Sequence, residues 1–205
     1  MSLTMKLQKP GEVAPKLRLS LNKGSRFLVE LFWDSSHDLD AHALLAVNDG
    51  NGAKISSFEQ VLSTYNSKKT SAQGVLETNA DGSFSTPCQT LTHSGDSRNG
   101  TAQDIDEVIT VDGSKIPAGV NEIPIFVTIH NSATSGLSFS KVVRAGIRIK
   151  DESGKVLGEY ELSSEFARFN AVQMGSLICG SGGWEFATVG NGFSGDFNSV
   201  LEHFS

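Results

Sequence analysis

The chain has 205 residues, with 17 Lys and Arg against 23 Asp and Glu, a formal net charge of −6 and a pI near 5.3. That balance argues against nucleic acid or an anionic membrane surface as the main partner, since both need clustered cations, and it suits cations and basic surfaces. No run of about eighteen apolar residues exists, so no transmembrane segment is expected, and the N-terminus lacks the pattern of a signal peptide, so the expected location is cytoplasmic.

In chain order, the periodicity is that of strands almost throughout. Leu17, Leu19 and Leu21 alternate with polar residues, and Phe27 to Trp33 is apolar on nearly both faces, which predicts a half-exposed strand followed by a central one. Ala41 to Val47 reads as a short apolar strand. The residues Asn48-Asp49-Gly50-Asn51-Gly52 tolerate positive φ and predict a hairpin turn into Lys54-Ile55. From Ser63 to Ser85 the composition is Ser, Thr, Asn, Lys and Gly with few apolar anchors, that of a long surface loop or a loosely held hairpin.

Further strands are expected over 108–111, 123–130, 142–150, 155–162, 172–179 and 184–189. Only the tail reads as helical: Phe193, Phe197, Val200, Leu201 and Phe204 share one face at 3.6 spacing, with Ser194 as the expected cap. Short strands, frequent turns and no long helical period predict an all-β fold. The expected architecture is an antiparallel β-sandwich with a short C-terminal helix, as a single domain over 1–205. Cys88 and Cys179 form no CxxC pair and are read as buried or idle thiols, with a disulfide left open.

The most polar stretch runs from His93-Ser94-Gly95-Asp96 to Asp104-Ile105-Asp106-Glu107 and packs four carboxylates and two glycines into fifteen residues. Like charges held this close need either full solvation or a bound cation, and a hard ion with oxygen ligands, calcium first, is the natural candidate. Asp38 and Asp40 stand upstream at i and i+2, a spacing that lets an extended chain present both carboxylates together. Ordinary solvated turns are the alternative. The spacing is not that of an EF-hand, and magnesium fits less well because it demands strict octahedral geometry.

His37 and His42 flank the first acidic pair and His93 opens the second block, so a zinc or iron site can be drawn. Without HExxH, a structural, hydrogen-bonded role is the expectation for all three. The absence of G-x-S-x-G, of a P-loop and of a dinucleotide fingerprint leaves no catalytic constellation.

Several blocks in the same order resemble the TerD family of tellurite-resistance and stress-response proteins. Phe32-Trp33-Asp34 with Asp38-Leu39-Asp40-Ala41 matches its W-D and D-L-D-A signatures, and His93-Ser94-Gly95-Asp96 matches its H-x-G-D. Gly100 with Asp106-Glu107, Ala145 to Ile149, Tyr160-Glu161-Leu162, Gly183 to Phe186 and Val189 to Gly192 complete the series. The resemblance implies a calcium-binding β-sandwich whose ion is held from Asp38, Asp40, Asp96, Asp104, Asp106 and Glu107.

Two departures stand out. Gln103 and Ile105 fall where the family's acidic loop has aspartates, and Asp104 falls at a glycine. The path from Tyr65-Asn66 to His93 is also longer than in the family, which places an insertion at about 63–85. The expected function is a calcium-binding interaction module with a protein partner of unknown identity. A metal-free structural or ligand-binding sandwich, or a metal-dependent enzyme, are the alternatives.

Overall fold

In a computed structural model the described residues are 4–6, 16–19, 21–98, 105–162 and 164–205. The chain begins with β1 (Thr4–Lys6), β2 (Lys16–Arg18), the long β3 (Arg26–Asp34) and β4 (Leu39–Leu44). A small hairpin of β5 (Val47–Asn48) and β6 (Ala53–Lys54) precedes β7 (Val61–Leu62), β8 (Phe84–Ser85), β9 (Leu91–His93) and β10 (Glu107–Asp112). Next come β11 (Glu122–Ile129), the single turn α1 (Ser132–Ser135), β12 (Arg144–Asp151) and β13 (Val156–Glu161). The hairpin of β14 (Ala171–Gly180) and β15 (Gly183–Phe193) leads into α2 (Phe197–Leu201).

Two sheets pack face to face, in the orders β1-β13-β12-β3-β10-β9-β8 and β2-β15-β14-β11-β4-β7. All pairings within them are antiparallel except β1 with β13, which run parallel. The sandwich therefore agrees with the sequence reading, with that one exception. Alternation explains the layering: Phe27, Val29, Leu31 and Trp33 on β3 meet Leu39, Ala41 and Ala43 on β4 in one core.

The opposite face of β3 sets Phe32 and Leu28 beside Glu30, and it needs a different cover. Phe32 lies under the guanidinium groups of Arg144 and Arg148, 4.8 and 5.3 Å from its ring centre, while buried Glu30 takes a hydrogen bond from Lys150 Nζ at 2.8 Å. Cationic stems thus shield apolar surface while their heads stay paired.

A second apolar cluster seats the C-terminal tail. Phe197, Val200, Leu201 and Phe204 pack on Leu44, Val61 and Phe126, on the outer face of the second sheet. The aromatic face expected of the tail is present, but the helix starts later than its periodicity suggests. Phe193 still belongs to β15, and the cap is Asp196, whose Oδ1 accepts from Ser199 N at 2.9 Å, not Ser194. A strand residue can share a helix's apolar face in space without being helical.

The stretch 63–85 is also tighter than its composition suggests. It holds a 3₁₀ turn at Thr64–Asn66, backbone bonds Leu76 N to Asn66 O and Lys68 N to Leu76 O, and buried Leu76 and Phe84. Two apolar anchors suffice because hydrogen bonds between close backbone segments supply the rest. Both thiols are free and half-buried. Among the described residues no helix is long and apolar enough to cross a membrane.

Packing is close where β14 meets β15. A Cβ on Gly175 would stand 2.4 Å from Phe186 Cζ and 2.5 Å from the Ala187 carbonyl oxygen, so Gly175→Ala forces backbone movement. We expect it to cost about 1–3 kcal/mol. Gly24→Ala, with open space around its Cβ, should stay within about 0.5 kcal/mol of the parent. Urea unfolding midpoints of the two variants check this, and equal midpoints would contradict the packing described.

Candidate metal centre

The upper end of β4 carries the first acidic pair into the structure. Strand register places Asp40 opposite Thr128 and His42 opposite Phe126 on β11, so Asp40 and His42 share the outer face of that sheet. Asp40 is fully buried, and a carboxylate can be charged there only if donors replace water. Its Oδ1 accepts from Thr64 Oγ1 at 2.8 Å and its Oδ2 from the Tyr65 hydroxyl at 2.8 Å, with His130 Nδ1 at 3.2 Å. Burial alone would raise the Asp40 pKa, but these bonds and the nearby imidazoles together hold it below the usual carboxylate value.

The partners respond in kind. Burial and the neighbouring Asp40 charge push the Tyr65 hydroxyl well up, so it stays a donor, and the hydrogen bond to Asp40 raises His130. His42, fully buried, is driven down to about 3 by desolvation and stays neutral, its Nε2 2.9 Å from Thr128 Oγ1.

The second acidic block arrives from the other sheet. After β9, Gly95 turns the chain at φ +110°, and a Cβ there would come within 3.1 Å of the Gly82 carbonyl oxygen, so glycine serves both conformation and fit. Ser94 N donates to Val108 O, and Ser94 Oγ accepts from Val108 N, each at 2.9 Å, which ties the turn to β10. Asp96 is thereby delivered beside Asp38 and Asp40. One carboxylate oxygen from each of the three lies within 4.8 Å of the others.

Such proximity has an electrostatic consequence. At 4.8 Å and an effective dielectric of about 20, two like charges repel by about 3.5 kcal/mol, less where water reaches Asp38 and Asp96. Asp38 yields: burial first, then the charges of Asp40 and Asp96, push it up to about 7. Its Oδ1 is buried and has no hydrogen-bond partner. Three carboxylates, one of them with an orphaned oxygen, form a hard donor set of the kind that suits a calcium ion. The cluster opens onto a polar cleft of about 1030 Å³ that Lys69, Arg98, Asp106 and His130 also line.

Asp106 and Glu107 lie at the same end but are turned to protein groups. Asp106 Oδ2 accepts from Trp33 N at 3.0 Å, at the end of β3. Glu107 is fully buried: its Oε2 accepts from Ala41 N at 2.7 Å, across the sandwich, and its Oε1 takes a longer bond from Ser97 N at 3.4 Å. His93 Nδ1 accepts from Gly95 N, which leaves the ring proton on Nε2, 3.3 Å from Glu107 Oε2 and off line for a full hydrogen bond. Asp104 lies outside the described residues.

His42 and His93 are buried beside the acidic blocks, each with a hydrogen bond at one ring nitrogen. Missed from sequence was His130, which ends up against Asp40 from 90 positions away. Thr64 and Tyr65 were missed as partners too, although Tyr65-Asn66 was legible as a family element. A hydroxyl or an imidazole at the end of a strand carries no periodic signal.

The opposed shifts at Asp38 and Asp40 set a pH dependence for chelator-treated protein. Asp38 rises from 3.8 to about 7, so the stability linked to its protonated form is lost as pH climbs through about 7. Asp38→Asn should therefore raise the melting temperature at pH 8, where the charge penalty is full, and raise it less at pH 5. Asp40 is shifted down, so its contribution is lost as pH falls, and Asp40→Asn should destabilise at pH 8. Thermal melts of both variants at the two pH values test this, and an Asp38→Asn gain larger at pH 5 would contradict the cluster's electrostatics.

A family model described as TerD domain matches residues 3–204. The tellurium resistance protein TerD of Serratia marcescens is 29% identical over 209 residues, covering 98% of this chain and 97% of that protein. General stress protein 16U of Bacillus subtilis is 32% identical over 106 residues, 51% of this chain and 55% of its own length. The crystal structure of a homologue of telluride resistance protein (TerD) from Streptomyces coelicolor A3(2) superposes with a TM-score of 0.63 at 20% identity, covering 88% of this chain and 98% of that one. That likeness concerns the fold, a sandwich of the same kind. With nearly its whole length matched, this chain belongs to the TerD domain family.

Proposed function

We propose that the chain is a calcium-binding interaction module that serves in a stress or tellurite response. The observation that carries this reading is the convergence of Asp38, Asp40 and Asp96, with Asp38 Oδ1 buried and unpartnered. These three would hold the ion, which supplies the positive charge that their mutual repulsion calls for. Asp106 and Glu107 act from behind, fixing the ends of β3 and β4 through backbone bonds. The ion would then join loops from both sheets at one end and present that surface to a protein partner. Relatives named for tellurium resistance and general stress support the setting.

A binding role suits the neighbouring groups better than catalysis does. Tyr65, the hydroxyl beside His130, is kept protonated by burial and by Asp40, which makes it a donor and not a nucleophile. An ion held by three carboxylates with a tyrosine and a histidine bracing one of them is a structural device for ordering loops.

Calcium at about 100 times its dissociation constant should stabilise the fold by roughly 2.7 kcal/mol and raise the melting temperature by about 5–10 °C. Magnesium at equal concentration should do much less. Asp40→Asn and Asp96→Asn should each weaken calcium binding, whereas Asp151→Asn, in an exposed turn closed by Ser153 and Lys155, should leave it unchanged. Calorimetry on stripped protein should find one tight ion and a second weak or absent, because Ile105 and Gln103 bring no carboxylate. A melting temperature indifferent to calcium and chelator would leave the metal-free structural reading.

A further inference from the structure

Beside the acidic cleft, but separate from its carboxylates, lies a cavity of about 690 Å³. Three parts of the chain converge on it: the stretch 58–75, the turn after β11, and the start of α2. Its volume falls within the range of small-molecule sites. Two of the five large apolar side chains left exposed among the described residues, Phe58 at 58% and Val75 at 39%, stand at this one cavity. Tyr65 and Phe197 form the inner aromatic wall, with ring centres 6.0 Å apart.

The lips of the cavity are held in place by one buried side chain. Asn66, 4% exposed, donates through Nδ2 to Phe58 O at 2.7 Å and to Val61 O at 2.8 Å, and its Oδ1 accepts from Val75 N at 3.3 Å. The exposed Phe58 and Val75 are thus set in position before any ligand arrives, which lowers the cost of binding.

Charge narrows the class of ligand. Among the described residues no Lys, Arg or His lines the cavity, and the one carboxylate there, Asp196, is occupied capping α2 through Ser199 N and Oγ, each at 2.9 Å. The Tyr65 hydroxyl is turned away to Asp40. What remains is aromatic surface with uncharged amides and hydroxyls at the edge, from Gln73, Asn131, Asn198 and Thr134. We propose that this cavity binds a neutral small molecule with a planar aromatic body, stacked against the rings and oriented by hydrogen bonds from the amide edge.

The test uses the full chain in the presence of chelator, so that it does not depend on the calcium reading. The neutral fluorophore N-phenyl-1-naphthylamine should bind saturably at one site per chain. Phe58→Ser and Val75→Asp should each weaken that binding by about tenfold or more while leaving the melting temperature close to the parent's. Val143→Ser, which removes an apolar residue 83% exposed elsewhere, should leave it unchanged. Absence of saturable binding, or binding that Phe58→Ser and Val75→Asp leave intact, would overturn the proposal. So would tighter binding of the cationic dye thioflavin T at the same residues, since that would make the site one for cations.

Discussion

A carboxylate buried between two sheets is costly, by several kcal/mol, unless donors take the place of water. Glu107 is such a group, and the acidic end of this sandwich depends on how it is satisfied. It opens β10 in one sheet and accepts from Ala41 N on β4 in the other. The bond therefore spans the layers and sets where β4 stands relative to β10. Asp40, one residue before Ala41, is positioned by the same contact, while Ser97 N on the other oxygen ties in the loop that bears Asp96. One buried side chain thus brings both acidic blocks to a common place.

Around that anchor, neighbouring carboxylates come to differ in character. Asp40 keeps its charge because Thr64, Tyr65 and His130 surround it with donors. Asp38, two residues away and without a partner on Oδ1, has its pKa raised instead. Equal residue types in adjacent positions behave differently because one is solvated by protein and the other is not. The unsatisfied half of this arrangement faces the cleft, and a hard cation would complement it there.

The stretch 63–85 contributes to both concave surfaces. Thr70 lines the acidic cleft and the aromatic cavity, and Tyr65 lines the cavity while bonding to Asp40. Its polar composition hides this, because the segment is held by backbone bonds and by buried Asn66, Leu76 and Phe84 more than by apolar periodicity. The segment forms a wall shared by the two concave surfaces.

The sequence by itself determined the longer strands and the class of fold, because alternation and turn residues act over a few positions, whereas β1 and the short strands β7, β8 and β9 are too brief to show a period. It also located both acidic blocks, since charge density is visible in composition. The tertiary structure decided the hydrogen-bond partners of each carboxylate. Asp106 and Glu107 lie next to Asp104 and Ile105 in sequence, yet one oxygen of each goes to a backbone donor of the assembled sandwich, Trp33 N on β3 and Ala41 N on β4. Asp96 joins Asp38 and Asp40 instead, and His130 reaches Asp40 from the far end of β11. The tail followed the same division: its apolar face was legible, but its start was set by where β15 stopped pairing with β14. Local pattern fixes what a segment is, whereas the partner of a buried polar atom is fixed by whichever donor the assembled fold brings within about 3 Å of it.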